Sequence, residues 1–287
     1  MFKFRQHLLF WLALILIIGN FFVWSVVWRE SPRGILTVAF LDVGQGDAIY
    51  IEAPNGNQVL VDGGAGKQVL RALGEVMPFY DHSLDVVIAT HPDADHIGGL
   101  PFVLERFAVG AVLEPGVTAE TGVYREFEEL LADGSPIRIL ARRGMKLELD
   151  QGVSLDILFP DQDPTGWETN TASIVAQLTY GENEFLLTGD SPIKIEQYLL
   201  GRDGEALQSD VLKAGHHGSR TSSASEYVSA AHPEYAVISA GKDNRYGHPH
   251  QEVLDILNNV GAKILSTAEL GTIIFQSDGV NLKQSSS

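Results

Sequence analysis

The chain is 287 residues long, with 37 acidic against 20 basic residues, a net charge of −17 and no cysteine. That length can bury a substantial core in one large domain or two small ones, and the charge argues against a broad basic face gripping nucleic acid phosphates, with only short basic pairs such as Arg142-Arg143 in the sequence. Without cysteine there are no disulfides and no thiolate sites, so any metal must be held by His, Asp, Glu or Asn.

In chain order, residues 8–28 form an apolar run broken only by Gly19, Asn20 and Ser25. At about 1.5 Å rise per residue, a helix of this run spans roughly 30 Å, the hydrocarbon thickness of a bilayer. Trp11, Trp24 and Trp28 lie toward its ends, where amphipathic rings favour the interface. A cleaved signal peptide is the rival reading, but the run ends Val26-Val27-Trp28-Arg29-Glu30 without a small-x-small cleavage site. The expectation is an uncleaved signal anchor over residues 1–30, a single pass through the cell membrane. Lys3 and Arg5 before it, against Arg29 and Arg33 offset by Glu30 after it, slightly favour an inside N-terminus and an extracytoplasmic remainder.

A turn-rich linker (31–34) follows, then one expected domain over 35–280 and a polar tail over 281–287. Short β-branched runs recur at 36–41, 48–52, 59–61, 86–90, 110–113, 155–159, 174–180, 184–188, 211–214, 236–239 and 272–275. Helical patterns intervene near 67–76, 100–107, 123–132, 192–200, 224–231 and 251–260. Early strands are joined by hairpin-like turns such as Pro54-Asn55-Gly56-Asn57, whereas later strands alternate with helices. This mixture predicts a layered α/β architecture of two packed sheets with helices outside.

Six of the nine histidines fall in three clusters after apolar runs. The first, His91-Pro92-Asp93-Ala94-Asp95-His96, offers four ligands of the kinds zinc and manganese take. The glycines that follow, Gly98 and Gly99, are expected to let the backbone turn tightly. Thr188-Gly189-Asp190 ends another run, and Asp190 is either a helix N-cap or a carboxylate able to bridge two metals. In Gly215-His216-His217-Gly218-Ser219, neighbouring histidines on an extended chain point apart, so one could bind metal while the other meets substrate. Tyr246-Gly247-His248-Pro249-His250 is either catalytic or a polar loop capping the next helix. Two further turns, 42–47 with Gln45 and Asp47 and 61–64 with Asp62, carry either turn chemistry or supporting roles.

Together these segments resemble the metallo-β-lactamase superfamily, and more closely the hydrolase-like domain of the ComEC/Rec2 competence proteins. The matching pieces run from Phe40 to Ala48, His91 to Gly99, Asn170 to Ser173, Leu187 to Asp190, Lys213 to Ser219 and Asn244 to His250. The resemblance implies a four-layer αββα fold, here behind one N-terminal transmembrane helix, with two divalent metal ions (Zn or Mn) at one edge of the sandwich. By position, His91 and Asp93 look like ligands of a first metal, Asp95 and His96 of a second, Asp190 the bridging carboxylate, and one of His216 and His217 a late ligand of the second. Two departures from the superfamily pattern stand out. Asp93 occupies a place commonly held by histidine, and only Asn170 and Ser173 stand where a mid-chain histidine is usual. The first site is thus poorer in nitrogen, which tilts it toward manganese or weaker zinc.

The implied chemistry is hydrolysis of a phosphodiester or ester by metal-activated water. Asp95 and Asp190 serve the metals, and His217 or His248 stabilises the developing charge. Asp62 is expected to buttress a ligand histidine. Gln45, Asp47, Asn170, Ser173, Ser219 and His250 are expected to support the ligands or meet substrate, with Gln45 and Asp47 at the mouth. A phosphodiesterase or nuclease, with DNA as a candidate substrate, heads the functional expectations. A hydrolase of a small ester, lactone or cell-wall phosphodiester follows, and a membrane-tethered binding protein without catalysis comes last. The competence proteins also carry a multi-helix membrane channel, so transport itself is expected to fall to a separate channel protein.

Overall fold

The computed structural model describes residues 2–30, 34–132 and 134–286. Three residues of the expected linker, Ser31, Pro32 and Arg33, and the terminal Ser287 lie outside the described residues. The chain divides into two compact units, Met1–Gly34 and Ile35–Ser287.

The first unit is a helix, α1 (Phe2–Glu30). It contains no proline and a single glycine, Gly19, and the polar Asn20 donates its side-chain amide back to Leu16 O at 3.3 Å. Phe10, Trp11, Leu12, Ile15, Leu16, Ile17, Ile18 and Phe21 are all exposed. At 3.6 residues per turn these positions cover every side, unlike the single apolar stripe of a helix packed on a globular core. Among the described residues, no helix is long and apolar enough to cross a membrane.

The second unit is built on two sheets. Its strands in chain order are β1 (Leu36–Phe40), β2 (Ile49–Glu52), β3 (Gln58–Val61), β4 (Ser83–Ile88), β5 (Ala108–Glu114), β6 (Ile137–Leu140), β7 (Lys146–Asp150) and β8 (Val153–Phe159). They continue with β9 (Val175–Tyr180), β10 (Asn183–Leu187), β11 (Val211–Lys213), β12 (Tyr235–Ile238), β13 (Lys263–Ser266), β14 (Ile273–Ser277) and β15 (Leu282–Ser286). One sheet has the order β15-β14-β1-β2-β3-β4-β5-β6 and the other β13-β12-β11-β10-β9-β8-β7. The helices are α2 (Gln68–Val76), α3 (Ala94–Ile97), α4 (Leu100–Leu104), α5 (Gly122–Leu131), α6 (Ile193–Asp203), α7 (Ser225–Ala231), α8 (Gln251–Asn259) and α9 (Thr267–Leu270).

Strand alternation sorts the side chains into layers. On β1, Leu36, Val38 and Phe40 enter the core between the sheets, while Ala39 faces the outer core beside α2, α4 and α5. On β10, Phe185 and Leu187 face inward, and Leu186 joins the outer core against α6, α7 and α8. The result is the expected αββα order, and it explains why the strands read as continuous apolar runs: both faces are buried.

The sequence did not foretell β6, β7, β13 and β15. Three of them are sheet-edge strands with exposed polar positions, and β13 also closes an edge. The tail expected over 281–287 is corrected accordingly, because residues 282–286 pair antiparallel with β14. An edge strand is held by backbone ladder bonds on one side and needs little apolar content.

One buried acid stands apart from the rest. On α6, Glu196 accepts backbone N–H groups of Ser223 and Ala224 at 2.6 and 2.8 Å, pinning the approach to α7. Burial pushes its pKa from 4.5 up to about 7, against the pull of those two amides. Between these values the unfolded chain has released a proton that the folded chain still holds, so stability falls as pH rises from 4.5 to 7. The expected fall through this group is about 3 kcal/mol, read by urea denaturation across that range. Glu196→Gln should remove this component, and a variant profile parallel to the parent would rule the group out.

Candidate metal centre

The histidine and aspartate clusters meet because parallel strands of both sheets point the same way. β4 leads to His91, β10 to Asp190, β11 to His216 and His217, and β12 to the loop of His248. Ligands in open α/β sheets gather outside such carboxyl ends. The turn after His91 becomes α3, whose N-cap, Asp93, makes no side-chain capping bond. Its carboxylate instead lies 3.8 Å from His91 Nε2.

Glycines keep this turn close to its neighbours. A Cβ on Gly46 would sit 1.9 Å from Asp95 O, and one on Gly99 would sit 2.0 Å from Gly63 O. Gly99 has an ordinary φ of −88°, so close backbone approach, rather than the tight turn expected from the sequence, is what requires it.

The histidine tautomers follow from their partners. Asp62, fully buried, accepts Thr90 N at 2.8 Å, Thr90 Oγ1 at 2.7 Å and His96 Nδ1 at 2.7 Å. With its own proton given to Asp62, the Thr90 hydroxyl accepts from His91 Nδ1 at 3.0 Å. His217 Nδ1 donates to Ser239 O at 2.9 Å, and His216 Nδ1 donates to Thr221 Oγ1 at 2.9 Å, since that hydroxyl gives its proton to Ser219 Oγ. In all four rings the lone pair therefore sits on Nε2. The Nε2 atoms of His91, His96 and His217 are buried without a hydrogen-bond partner, as is Asp190 Oδ1. Buried polar atoms are rarely left so, and several lone pairs converging on carboxylates form a donor set that fits a divalent cation.

Asp190 is the common neighbour. It lies 3.2 Å from His96 Nε2, 3.4 Å from His216 Nε2, 3.6 Å from His217 Nε2 and 4.0 Å from His91 Nε2. It is no helix cap, because α6 starts at Ile193 behind Pro192. Ser173 Oγ accepts the Asp190 N–H at 3.3 Å and steadies it.

The expectation that His216 and His217 point apart is overturned. Both adopt left-handed backbone conformations (φ 49° and 57°), so the chain curls and both rings face Asp190. Such conformations cost of order 1–3 kcal/mol each in non-glycine residues. His217 also lies 3.4 Å from Asp95 Oδ2, which groups it with Asp95 and His96, whereas His216 is partly exposed.

Asp47 does not line the mouth. It is 2% exposed and ion-paired with Lys213, itself fully buried, whose Nζ also reaches Gly189 O at 3.1 Å. Asp47, His96, Asp190 and His217 each offer a ligand atom within 4.8 Å of the others. Asp47, however, approaches the Nδ1 edges of His96 and His217, at 3.8 and 3.4 Å, opposite the Nε2 lone pairs. Its place is behind the ligands.

Burial works against charge on His96 and His217. Asp190 with Asp62 lifts His96 well above its ordinary value, and Asp190 with Asp47 lifts His217 to about 9. Burial and the nearby His96 hold His91 well below its ordinary value. Burial would raise Asp190, but His217 and His96 hold it well below the usual carboxylate range. The same donors thus attract protons strongly where no other cation is present.

Other expected residues fall around this centre. Gln45 Oε1 accepts Gly241 N at 3.2 Å, fastening the loop after β12. Asn170 sits in a 3₁₀ turn, Asn170–Ala172, whose amides are held by Glu168. Ser219 braces the turn after His217 through Thr221, and His250 Nδ1 accepts the Arg220 N–H at 3.2 Å. His248, half-buried, lies with its ring 5.7 Å from that of His216 and stacked on Tyr246. The sequence reading missed Thr90 and Lys213 as members of the site. The available signal was a polar residue next to His91 and a lysine inside an apolar strand.

Asp62→Asn keeps the shape but turns an acceptor toward donation. It is expected to weaken metal retention roughly 10–100-fold, measured by chelator competition; unchanged retention would remove Asp62 from its supporting role.

A sequence profile of the family described as "Metallo-beta-lactamase superfamily" matches residues 41–242. The chain is 33% identical over 257 residues to "ComE operon protein 3" of Bacillus subtilis (strain 168), covering 83% of this chain and 33% of that protein. It is 31% identical over 252 residues to "Recombination protein 2" of Haemophilus influenzae, covering 86% of this chain and 30% of that protein. The chain thus spans about a third of the length of these curated relatives. Among solved structures, the metallo hydrolase Igni18 of the archaeon Ignicoccus hospitalis aligns with a TM-score of 0.53 at 17% identity. That match covers 84% of this chain and 98% of that chain, a likeness of fold.

Proposed function

The chain belongs to the metallo-β-lactamase superfamily, and from that premise we propose that it is a membrane-anchored, two-metal phosphodiesterase or nuclease. The observation that carries the reading is the convergence of imidazole Nε2 atoms on Asp190. His91 and Asp93 would hold one ion, and Asp95, His96 and His217 the other, with Asp190 between them. Bound zinc or manganese supplies Lewis acidity and lowers the pKa of water.

The remaining work falls to the chain itself. Asp62 and Thr90 keep the lone pairs of His96 and His91 aimed inward. His217 gives Nδ1 to Ser239 O and its unpartnered Nε2 would go to the second ion, so charge development on the substrate is left to His248, whose Nδ1 lacks a partner. Arg220, Lys242 and Arg245 sit in the loops that carry His216 to His250, exposed and without an ion pair among the described residues. On a chain of net charge −17, three cations against one acid, Asp243, in the segments that flank these histidines favour an anionic substrate. The competence and recombination names of the relatives favour DNA. The overall acidity supports the second reading, a small ester, lactone or cell-wall phosphodiester.

The single-pass anchor rests on the apolar run of residues 8–28 and the apolar side chains around α1, against the finding that no helix among the described residues is long and apolar enough to cross a membrane. The extracytoplasmic placement rests on the slight charge bias at its ends, and a separate channel protein would handle transport. Protease added to intact cells should digest the domain; digestion only after lysis would refute that placement.

The activity test loads the full chain, in detergent, with manganese or zinc. It is then offered single-stranded DNA, bis-p-nitrophenyl phosphate and a lactone, with Asp95→Ala as control. Hydrolysis of the two phosphodiesters, lost in Asp95→Ala, is expected. Turnover of the lactone alone would move the assignment to the second reading, and no turnover with metal bound would overturn both.

A further inference from the structure

We infer that a cavity beside the metal loops is a nucleobase subsite, with Trp167 as its stacking surface and Lys194 as its phosphate contact. This rests on the phosphodiesterase reading, which it sharpens to substrates whose reacting phosphate is attached to a nucleoside. The cavity is about 480 Å³, within the range of small-molecule sites. Its apolar walls are largely aromatic. Phe159 and Trp167 stack with ring centroids 6.0 Å apart at 27°, and Tyr198 meets Phe159 edge-on at 6.0 Å.

The charges around the cavity decide what ring it takes. Asp161 is engaged by the Tyr198 hydroxyl at 2.6 Å. Glu168 is engaged by Thr171, through N at 3.0 Å and Oγ1 at 2.8 Å. Lys194 is exposed, with no ion pair among the described residues, and is the cation of the lining, whereas the carboxylates of Asp161 and Glu168 are turned to those neutral donors. A planar ring bearing an anionic group satisfies both features: the ring stacks on Trp167 and the anion meets Lys194.

Chain continuity ties this cavity to the metal centre. Trp167 lies three residues before Asn170, which opens the 3₁₀ turn leading to Ser173, whose Oγ accepts the Asp190 N–H. Lys194 lies four residues after Asp190, in the first turn of α6. A base seated here would direct its own phosphate toward the loop that carries Asp190.

Trp167 is the sole tryptophan outside residues 8–28, so its fluorescence can be isolated as the difference between the full chain and Trp167→Phe. The probes are adenosine 5′-monophosphate, adenosine and ribose 5-phosphate, added to chelator-treated full chain in detergent so that no hydrolysis intervenes. The monophosphate is expected to quench Trp167 saturably, and ribose 5-phosphate is not. Lys194→Gln should weaken the monophosphate by about five- to tenfold and adenosine little. Trp167→Ala should weaken it roughly tenfold by equilibrium dialysis. Equal quenching by ribose 5-phosphate, or monophosphate affinity unchanged in both variants, would overturn the subsite. Saturable quenching by a chain that hydrolyses no phosphodiester would support the subsite and sink the activity reading. Hydrolysis of DNA with no quenching would do the reverse.

Discussion

Asp190→Asn is expected to lower phosphodiester turnover on the order of a thousandfold. Among the described residues, Asp190 is the carboxylate that stands within 4.0 Å of the Nε2 atoms of His91, His96, His216 and His217. Asparagine keeps the volume and the contact with Ser173 but offers one oxygen and no charge, so both proposed ion positions lose a ligand at once. Metal analysis of the purified variant should show reduced occupancy, while far-UV circular dichroism stays native. Full occupancy with parental turnover would remove Asp190 from the bridging position.

Lys213→Met carries the second large effect, on stability. Lys213 is fully buried, paired with Asp47 and 3.8 Å from Asp190 Oδ1. Removing one partner of a buried ion pair leaves the other uncompensated and costs roughly 3–5 kcal/mol. The site carries five carboxylates, Asp47, Asp62, Asp93, Asp95 and Asp190; two divalent ions and Lys213 would balance them. In chelator-treated protein, urea denaturation should therefore show the variant strongly destabilised. Adding Asp47→Asn should recover a large part of the loss, because the uncompensated charge goes with it. A single variant within about 0.5 kcal/mol of the parent, the usual range for surface changes, would mean that Lys213 is not the counter-charge of Asp47.

Much of the fold was legible because its strands are buried on both faces. Runs such as 36–41, 86–90 and 184–188 are apolar apart from Thr37, Thr90, Glu184 and Thr188, and a run of that kind needs two packing layers. The edge strands were not legible: Leu282–Ser286 has one apolar residue in five, as a loop would, and Lys146–Asp150, although it alternates, buries only Leu149. The ligand clusters stood out for a chemical reason: His91, Asp93, Asp95 and His96 within six residues have few structural uses. Asp47 was misjudged, because a glycine-rich turn in sequence gives no sign that it folds inward against Lys213, a contact across 166 positions.

The sequence alone determined the donor types, their places after apolar strands, the αββα class and the resemblance that the family match bears out. These are properties of short segments, fixed by periodicity and side-chain chemistry. The tertiary structure alone decided which nitrogen of each histidine faces inward, since that depends on partners as distant as Asp62 and Ser239. It also decided that His216 and His217 face the same carboxylate, because the left-handed turn that curls them together is imposed by packing and leaves no mark in the sequence beyond two flanking glycines.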